Sequence, residues 1–393
     1  MSVGTLVVRD DEGEHRFGTG AGPAAQVAVH DPRAWASIVF GGSNGAAESY
    51  IARQWDVDSL ATLIELLLLN YDALVRLESA FSWLGEPWRR ISYRLERNSR
   101  NGARKNIEAH YDLSNEFFAC MLDPTMMYSC AIFDRPDMTL EDASRTKLER
   151  ICQKLDLNRD DHVVEIGTGW GGFAEYAARR YGCRVTTTTI SPQQFEYAQR
   201  RIENAGLSDR VTVLEEDYRD LEGEFDKLVS IEMIEAIGWE YYGEYFGVCD
   251  RLLKRDGLAL IQAITIRDQF YERAKRRRDF LKQYIFPGSC LPSITALSTA
   301  MSRTSELKIT HLEDIGPHYA TTLSHWRSRY HENRDAIESL GFDNRFERLW
   351  MFYLGYCEGA FRARHVGDVQ LLLARPRSGR SPVLGDLSEA VAP

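Results

Sequence analysis

Residues 162–173 read HVVEIGTGWGGF, a short apolar run with one acid near its end that breaks into Gly167, Gly169 and Gly171 and enters the helix-forming FAEYAARRYG. Such a run reads as a buried strand. The glycines behind it allow a tight turn and let a ligand lie against main chain. Downstream, CRVTTTTI, SPQQFEYAQRRIENAG, RVTVLEED, FDKLVSIEM and GLALIQAI repeat the alternation of strand-length and helix-length segments. That rhythm predicts an α/β fold: a doubly wound, mostly parallel sheet of Rossmann-like kind with helices on both faces.

The strand ends indicate what the turn would hold. A dinucleotide site favours GxGxxG and an acid at the end of the second strand. Here Glu165 precedes the glycines, the second strand ends in TTTISPQQ and the third in EEDYRDL. Polar groups after the second strand and an acidic-aromatic pair after the third suit S-adenosylmethionine better than NAD. A ligand-free strand-to-helix turn is the alternative for the glycines alone.

The 393 residues, 44% apolar, suffice for one large domain and a smaller one, and the net charge of −10 argues against a nucleic-acid binder. Seven cysteines without a CxxC pair imply neither a disulfide framework nor a zinc ribbon, and the histidines show no HExxH pattern. Reduced thiols, a cytoplasmic protein and no metal are expected. The opening MSVGTLVVRDDEGEH is unlike a signal peptide, and LATLIELLLL (60–69) contains a Glu and is too short to span a bilayer. Contact with lipid, at the inner face of the membrane, is therefore expected to be peripheral. Residues 1–95 read as an N-terminal unit for lipid binding or dimer docking, with strands TLVVRD and AQVAVHD, a turn FGGSNG and a long helix. Residues 96–105 read as a basic linker, 106–376 as the catalytic domain and 377–393 as a mobile tail; 265–330 break the rhythm like an insertion or lid.

Taken in order, NIEAHYDLSNEFF (106–118), MLDPTMMYSCAIF (121–133), EIGTGWGGF, TISPQQ, DYRDL, SIEMIEAIG, YIFPGSCLPS and FRAR resemble the cyclopropane-fatty-acyl-phospholipid synthase family. The similarity runs along nearly the whole chain, including HDPRAW and FGGSNGAAESYIARQWDVDSL. The mycolic-acid cyclopropane synthases are similar over the catalytic part. The resemblance implies transfer of a methyl group from S-adenosylmethionine to the cis double bond of a phospholipid acyl chain, then ring closure with bound bicarbonate as base. It places Tyr128 and Ser129 against the cofactor, with a glycine loop of Glu165, Gly167, Thr168, Gly169, Trp170 and Gly171. Thr189, Ile190 and Gln194 follow at the second strand end, and Asp217, Tyr218 and Arg219 around adenine. Bicarbonate would be held by Cys130, Glu235, Gln262, the Ile264 backbone and Tyr319. A homodimer is also implied.

Methylating an alkene leaves a carbocation, which aromatic faces shelter by about 2 kcal/mol per desolvated contact. The chain departs from the family in two places: Ala236 follows Glu235 where many members have His, and Gln262 stands where the anion-binding His is expected. Glutamine donates a hydrogen bond but cannot become cationic, so bicarbonate binding would be weaker or arranged differently. Loss of a proton from the chain would then lead to a methylene branch, which a partner reductase would convert to a methyl branch. Cys130 has no His–Asp partner for a thiolate and reads as a wall or ligand of the anion site, with plain packing as the alternative. Glu235 has a surface acid as its alternative reading. Cys357, in FYLGYCEGAFRAR, matches a cysteine sometimes treated as the family's active-site residue, yet its neighbours also suit a packed helix. The segment 267–288 mixes basic and aromatic residues, suiting either an anionic-lipid rim or a solvated helix face. A lipid-binding module with an inactive cofactor site and a methyltransferase for a soluble small molecule are the rival functions.

Overall fold

A computed structural model describes residues 1–18, 20–71 and 113–383. The reading of 72–112 as the rest of a long helix, a basic linker and the start of the catalytic domain lies outside them, as does most of the tail. The first unit is a four-stranded sheet of order β2-β1-β3-β4, built from β1 (Thr5–Asp10), β2 (Gly13–Gly18), β3 (Ala24–Val29) and β4 (Trp55–Val57). Helices α1 (Arg33–Ile51) and α2 (Leu60–Leu69) accompany it. Here one expectation is corrected: FGGSNG is not a turn between elements but lies inside α1, which kinks at Gly42 (φ 57°, ψ −134°). A backbone without Cβ accepts that excursion and the helix resumes beyond it.

The second sheet has seven strands in the order β10-β11-β9-β8-β5-β6-β7. Strands β5 (His162–Ile166), β6 (Arg184–Thr189), β7 (Val211–Glu215), β8 (Phe225–Ile231) and β9 (Leu253–Ile266) run parallel. β11 (Val366–Ala374) and β10 (Lys308–Asp314) close one edge antiparallel. The stretch 265–330 is thus only partly an insertion, since 308–314 pairs into the sheet. Between the first sheet and β9 come helices α3 (Asn115–Met121), α4 (Leu140–Leu155), α5 (Gly172–Tyr181), α6 (Pro192–Asn204) and α7 (Tyr242–Leu252). After it come α8 (Asp268–Ala274), α9 (Ile294–Thr304), α10 (Gly316–Glu332), α11 (Arg334–Ser339) and α12 (Asn344–Arg362). The central strands are buried on both faces, with Val163, Val164, Leu228 and Leu260 fully covered, which is why their sequences are continuously apolar.

The two units meet along α2 and α12. A Cβ on Gly359 would stand 2.5 Å from the Ala61 carbonyl oxygen, and one on Gly355 2.6 Å from the Leu60 Cβ. Two glycines one turn apart therefore let these helices approach backbone to side chain. Among the described residues no helix is long and apolar enough to cross a membrane.

Candidate active site

The parallel strands end on one edge, and the strand order reverses at β5, with β6 and β7 on one side of it and β8 and β9 on the other. Sheets of this kind bind ligands at that reversal. A cleft with about 1170 Å³ of empty space opens there, lined among others by Tyr128, Ser129, Glu165, Gly167, Thr168, Gly169, Trp170, Thr189, Ile190, Gln194, Asp217, Tyr218 and Arg219. The structure thus gathers the cofactor residues expected from sequence. Gly171 stands just behind them as the N-cap of α5, with φ 81°.

Local chemistry fixes each wall. The amides of Gly167 and Thr168 both donate to the Thr188 carbonyl, at 3.1 and 3.0 Å, and tie the loop to β6. A Cβ on Gly169 would meet nothing within 4 Å, whereas one on Gly167 would press on Met233 at 3.2 Å. Ser191 Oγ caps α6 by accepting from the Gln194 amide, and Thr189 Oγ1 donates to Gln194 Oε1 at 3.0 Å. Arg219 grips Asp217 bidentately at 2.8 and 2.6 Å, with its guanidinium carbon 5.6 Å from the Tyr218 ring centre. Thr187 donates to Glu165 at 2.6 Å, yet burial dominates and pushes this carboxyl up to about 8, so it keeps its proton at neutral pH. Trp170 donates to Asn115 Oδ1 at 2.7 Å and its ring lies 4.8 Å from Phe118; Tyr128 bonds Tyr353 at 2.8 Å and lies 5.0 Å from Trp326. The outcome is a mostly apolar groove with an aromatic wall and polar groups at the strand ends.

The expected catalytic residues lie beyond that wall, and their arrangement turns on an acid that sequence reasoning passed over. Glu232, at the end of β8, lines the cleft in a left-handed backbone conformation (φ 49°) rare for a residue with a side chain. Its Oε1 accepts from the Cys130 amide at 2.8 Å and from Gln262 Nε2 at 2.7 Å, and its Oε2 accepts from the Tyr319 hydroxyl at 2.6 Å. These are three of the groups assigned to bicarbonate. The remaining two face each other, because the Ile264 amide donates to the Glu235 carboxyl group. Donors that would hold a separate anion are engaged by the protein's own carboxyl groups, so the site does not fit bicarbonate held by that set. The only signal in the sequence was a second Glu three residues before Glu235.

The other candidates fall into place around this centre. Glu235 is no surface acid: it is buried, its Oε2 has no partner among the described residues, and burial with Glu232 nearby pushes it up to about 8. Gln262 is fully buried, and the Gln370 amide at 3.1 Å on its Oε1 turns its NH2 toward Glu232 and Asp368. Cys130 contributes its amide; its thiol is fully buried, donates to main-chain carbonyls and is pushed well up, against a nucleophilic role. Cys130→Ala is therefore expected to lower kcat by less than about tenfold, and a thousandfold loss of turnover with cofactor binding intact would contradict this. Cys357 is half-buried on α12 with its thiol pushed up by burial, and it does not line the cleft. No group of three or more metal-ligating side chains occurs among the described residues.

The family profile described as mycolic acid cyclopropane synthetase matches residues 98–371. The chain belongs to this family. It is 37% identical over 360 residues to the tuberculostearic acid methyltransferase UfaA1 of Mycobacterium tuberculosis, covering 90% of this chain and 84% of that one. It is 36% identical over 363 residues to the cyclopropane-fatty-acyl-phospholipid synthase of Escherichia coli, covering 91% and 89%. The solved mycolic acid cyclopropane synthase CmaA1, complexed with SAH and CTAB, superposes with a TM-score of 0.64 at 32% identity, covering 69% of this chain and 98% of that one. This family member is an S-adenosylmethionine-dependent methyltransferase, and the cleft at the glycine loop has the chemistry to hold that cofactor.

Proposed function

We propose that the protein methylates the cis double bond of an unsaturated acyl chain on a membrane phospholipid, with Glu232 as the base that quenches the resulting carbocation. The observation that carries this reading is the Glu232 carboxylate, held by the Cys130 amide, Gln262 and Tyr319 at the edge of the cofactor cleft. S-adenosylmethionine, when bound, supplies the methyl group. The chain's own residues orient the alkene, exclude water and take up the proton; the aromatic wall of Tyr128, Trp170 and Trp326 supports the cation.

Atom balance refines the product expected from sequence. Methyl transfer to one alkene carbon leaves the cation on its neighbour. Loss of a methyl proton then closes a cyclopropane, while loss of a chain proton gives an internal alkene bearing a methyl group. A methylene branch needs a hydride shift from the methylated carbon first, and then loss of a methyl proton. The competition is one of timing. The 37% identical relative UfaA1 is a tuberculostearic acid methyltransferase, and a carboxylate fixed by three donors can take a methyl proton only where the fold places it, which leaves the cation time for the shift. We therefore favour the methylene-branched product, to be reduced by a separate enzyme, over the ring.

The test is incubation of purified protein with S-adenosylmethionine and vesicles of a cis-monounsaturated phospholipid, followed by mass analysis of the fatty esters before and after mild hydrogenation. A gain of one CH2 that then takes up two hydrogens supports the branch. A product that resists hydrogenation means ring closure. The absence of any mass gain, with cofactor bound, would favour a soluble substrate or a binding module. Peripheral membrane attachment and a homodimer belong to the same reading, and co-sedimentation with anionic vesicles tests the first.

A further inference from the structure

The first half of α1 carries its large apolar side chains outward. Along 34–41 the covered or half-covered positions are Ala34, Ser37, Ile38 and Gly41, spaced as one side of a helix, and the exposed ones are Trp35, Ala36, Val39 and Phe40. Every exposed position is apolar, with Trp35, Val39 and Phe40 left 40%, 50% and 64% exposed. A surface helix ordinarily turns polar groups to solvent, so an apolar face there marks a docking surface. The kink at Gly42 sets this half apart, because the second half doubles back until a Cβ on Gly45 would stand 1.8 Å from the Ser37 carbonyl oxygen.

The border of the face indicates what covers it. Just past Phe40, Arg277 Nη2 lies 3.3 Å from the place a Cβ on Gly42 would take, and Asn44 Nδ2 donates to the Arg278 carbonyl at 3.4 Å and to Gln283 Oε1 at 3.0 Å. The stretch ERAKRRRD (272–279) that meets α1 here has five basic and two acidic side chains. Glu272 pairs with Lys275 and Arg276, and the Arg276 guanidinium is still 75% exposed. Apolar side chains beside an excess of guanidinium groups match the boundary of an anionic bilayer, where acyl chains lie under phosphates. The same stretch leads inward to the cleft: Phe280 packs 4.8 Å from Phe352, and Phe286 lies 5.7 Å from Tyr353, whose hydroxyl bonds Tyr128.

We infer that Trp35, Val39 and Phe40, with the arginines of 276–278 at their border, form the surface by which the protein sits on an anionic phospholipid bilayer. This rests on the reading of the substrate as a membrane phospholipid.

The experiment measures co-sedimentation of the full chain with vesicles of dioleoyl phosphatidylglycerol in dioleoyl phosphatidylcholine, turnover on the same vesicles, and turnover on the same lipids dispersed in detergent. The parent is expected to prefer vesicles containing phosphatidylglycerol and to lose that preference in high salt. The triple variant Trp35→Ser, Val39→Ser, Phe40→Ser is expected to bind vesicles about tenfold more weakly and to raise KM for vesicle lipid by a similar factor. Its cofactor affinity, its kcat and its turnover of dispersed lipid are expected to stay unchanged. Trp35→Leu with Phe40→Leu, which keeps the face apolar, is expected to bind as the parent does. Where the triple variant does not bind cofactor, Phe40→Asp alone takes its place with the same expected direction. Vesicle binding equal to the parent's, or an equal loss on dispersed lipid, overturns the inference. So does a variant that keeps its vesicle affinity but loses self-association in sedimentation velocity, which would make the face a contact between copies of the chain. A parent that neither binds nor methylates the vesicles defeats the reading of the substrate itself; a parent that methylates them while the triple variant binds equally well defeats only the role of α1.

Discussion

Glu232→Gln is expected to lower kcat by about 10²- to 10⁴-fold, the usual contribution of a positioned base, while S-adenosylmethionine still binds. The amide matches the carboxylate in shape but cannot take up a proton. It would also turn an NH2 group toward at least one of the donors that now converge on Glu232, the Cys130 amide, Gln262 Nε2 and the Tyr319 hydroxyl. Isothermal titration with the cofactor and turnover on vesicles separate the two effects. A kcat within about threefold of the parent would remove Glu232 from the chemistry.

The companion variant, Glu232→Gly, tests the same centre by rescue. Glycine accepts φ 49° without strain and leaves the three donors facing an empty space the size of a carboxylate. Added bicarbonate is expected to restore turnover of this variant in a saturable way and to leave the parent unchanged. If the parent also loses activity in carbonate-free buffer and regains it with bicarbonate, a free anion is the base and the role given to Glu232 is wrong. The same rescued variant shows whether a free anion in place of the fixed carboxylate shifts the product from the methylene branch toward the ring.

The second large effect is on stability. Gly359→Leu is expected to destabilise the protein by about 3 kcal/mol or more, the upper range for overpacking, because no rotamer avoids the contacts its Cβ makes. That atom would lie 2.5 Å from the Ala61 carbonyl oxygen and 2.6 Å from the Ile64 Cβ, so α2 and α12 must separate. A lower denaturation midpoint, with faster proteolysis in the N-terminal unit, is the signature. Gly379→Ala is the control, since a Cβ there meets nothing within 4 Å. An unchanged midpoint for Gly359→Leu would mean that the two units do not dock through these helices.

Much of this architecture is legible along the chain. Continuous apolar runs such as VVEI and LALIQAI mark strands covered on both faces, and the glycines after β5 mark the cofactor turn, because these are local consequences of burial and backbone freedom. The same locality explains why the cofactor residues gather as expected: each sits at the end of a strand whose direction the alternation had already set. Where a segment obeys no period, reading is weaker. FGGSNG looks like a turn, yet neighbours on both sides hold it in a helix, and 308–314 becomes a strand only because β11 offers it an edge.

What the amino-acid sequence determined by itself is the sheet, its glycine turn and the family to which the chain belongs. Which acid the donors at the edge of the cleft converge on was decided by tertiary structure alone. Glu232 and Glu235 stand three apart in one motif and are chemically identical, so nothing local ranks them. One is met by groups 102, 30 and 87 residues away, and the other turns back to the Ile264 amide. Lys147 is likewise an ordinary helical lysine until the fold buries it against the Ser129 hydroxyl. A charge acts on whatever the fold brings within reach, and distance along the chain does not report that.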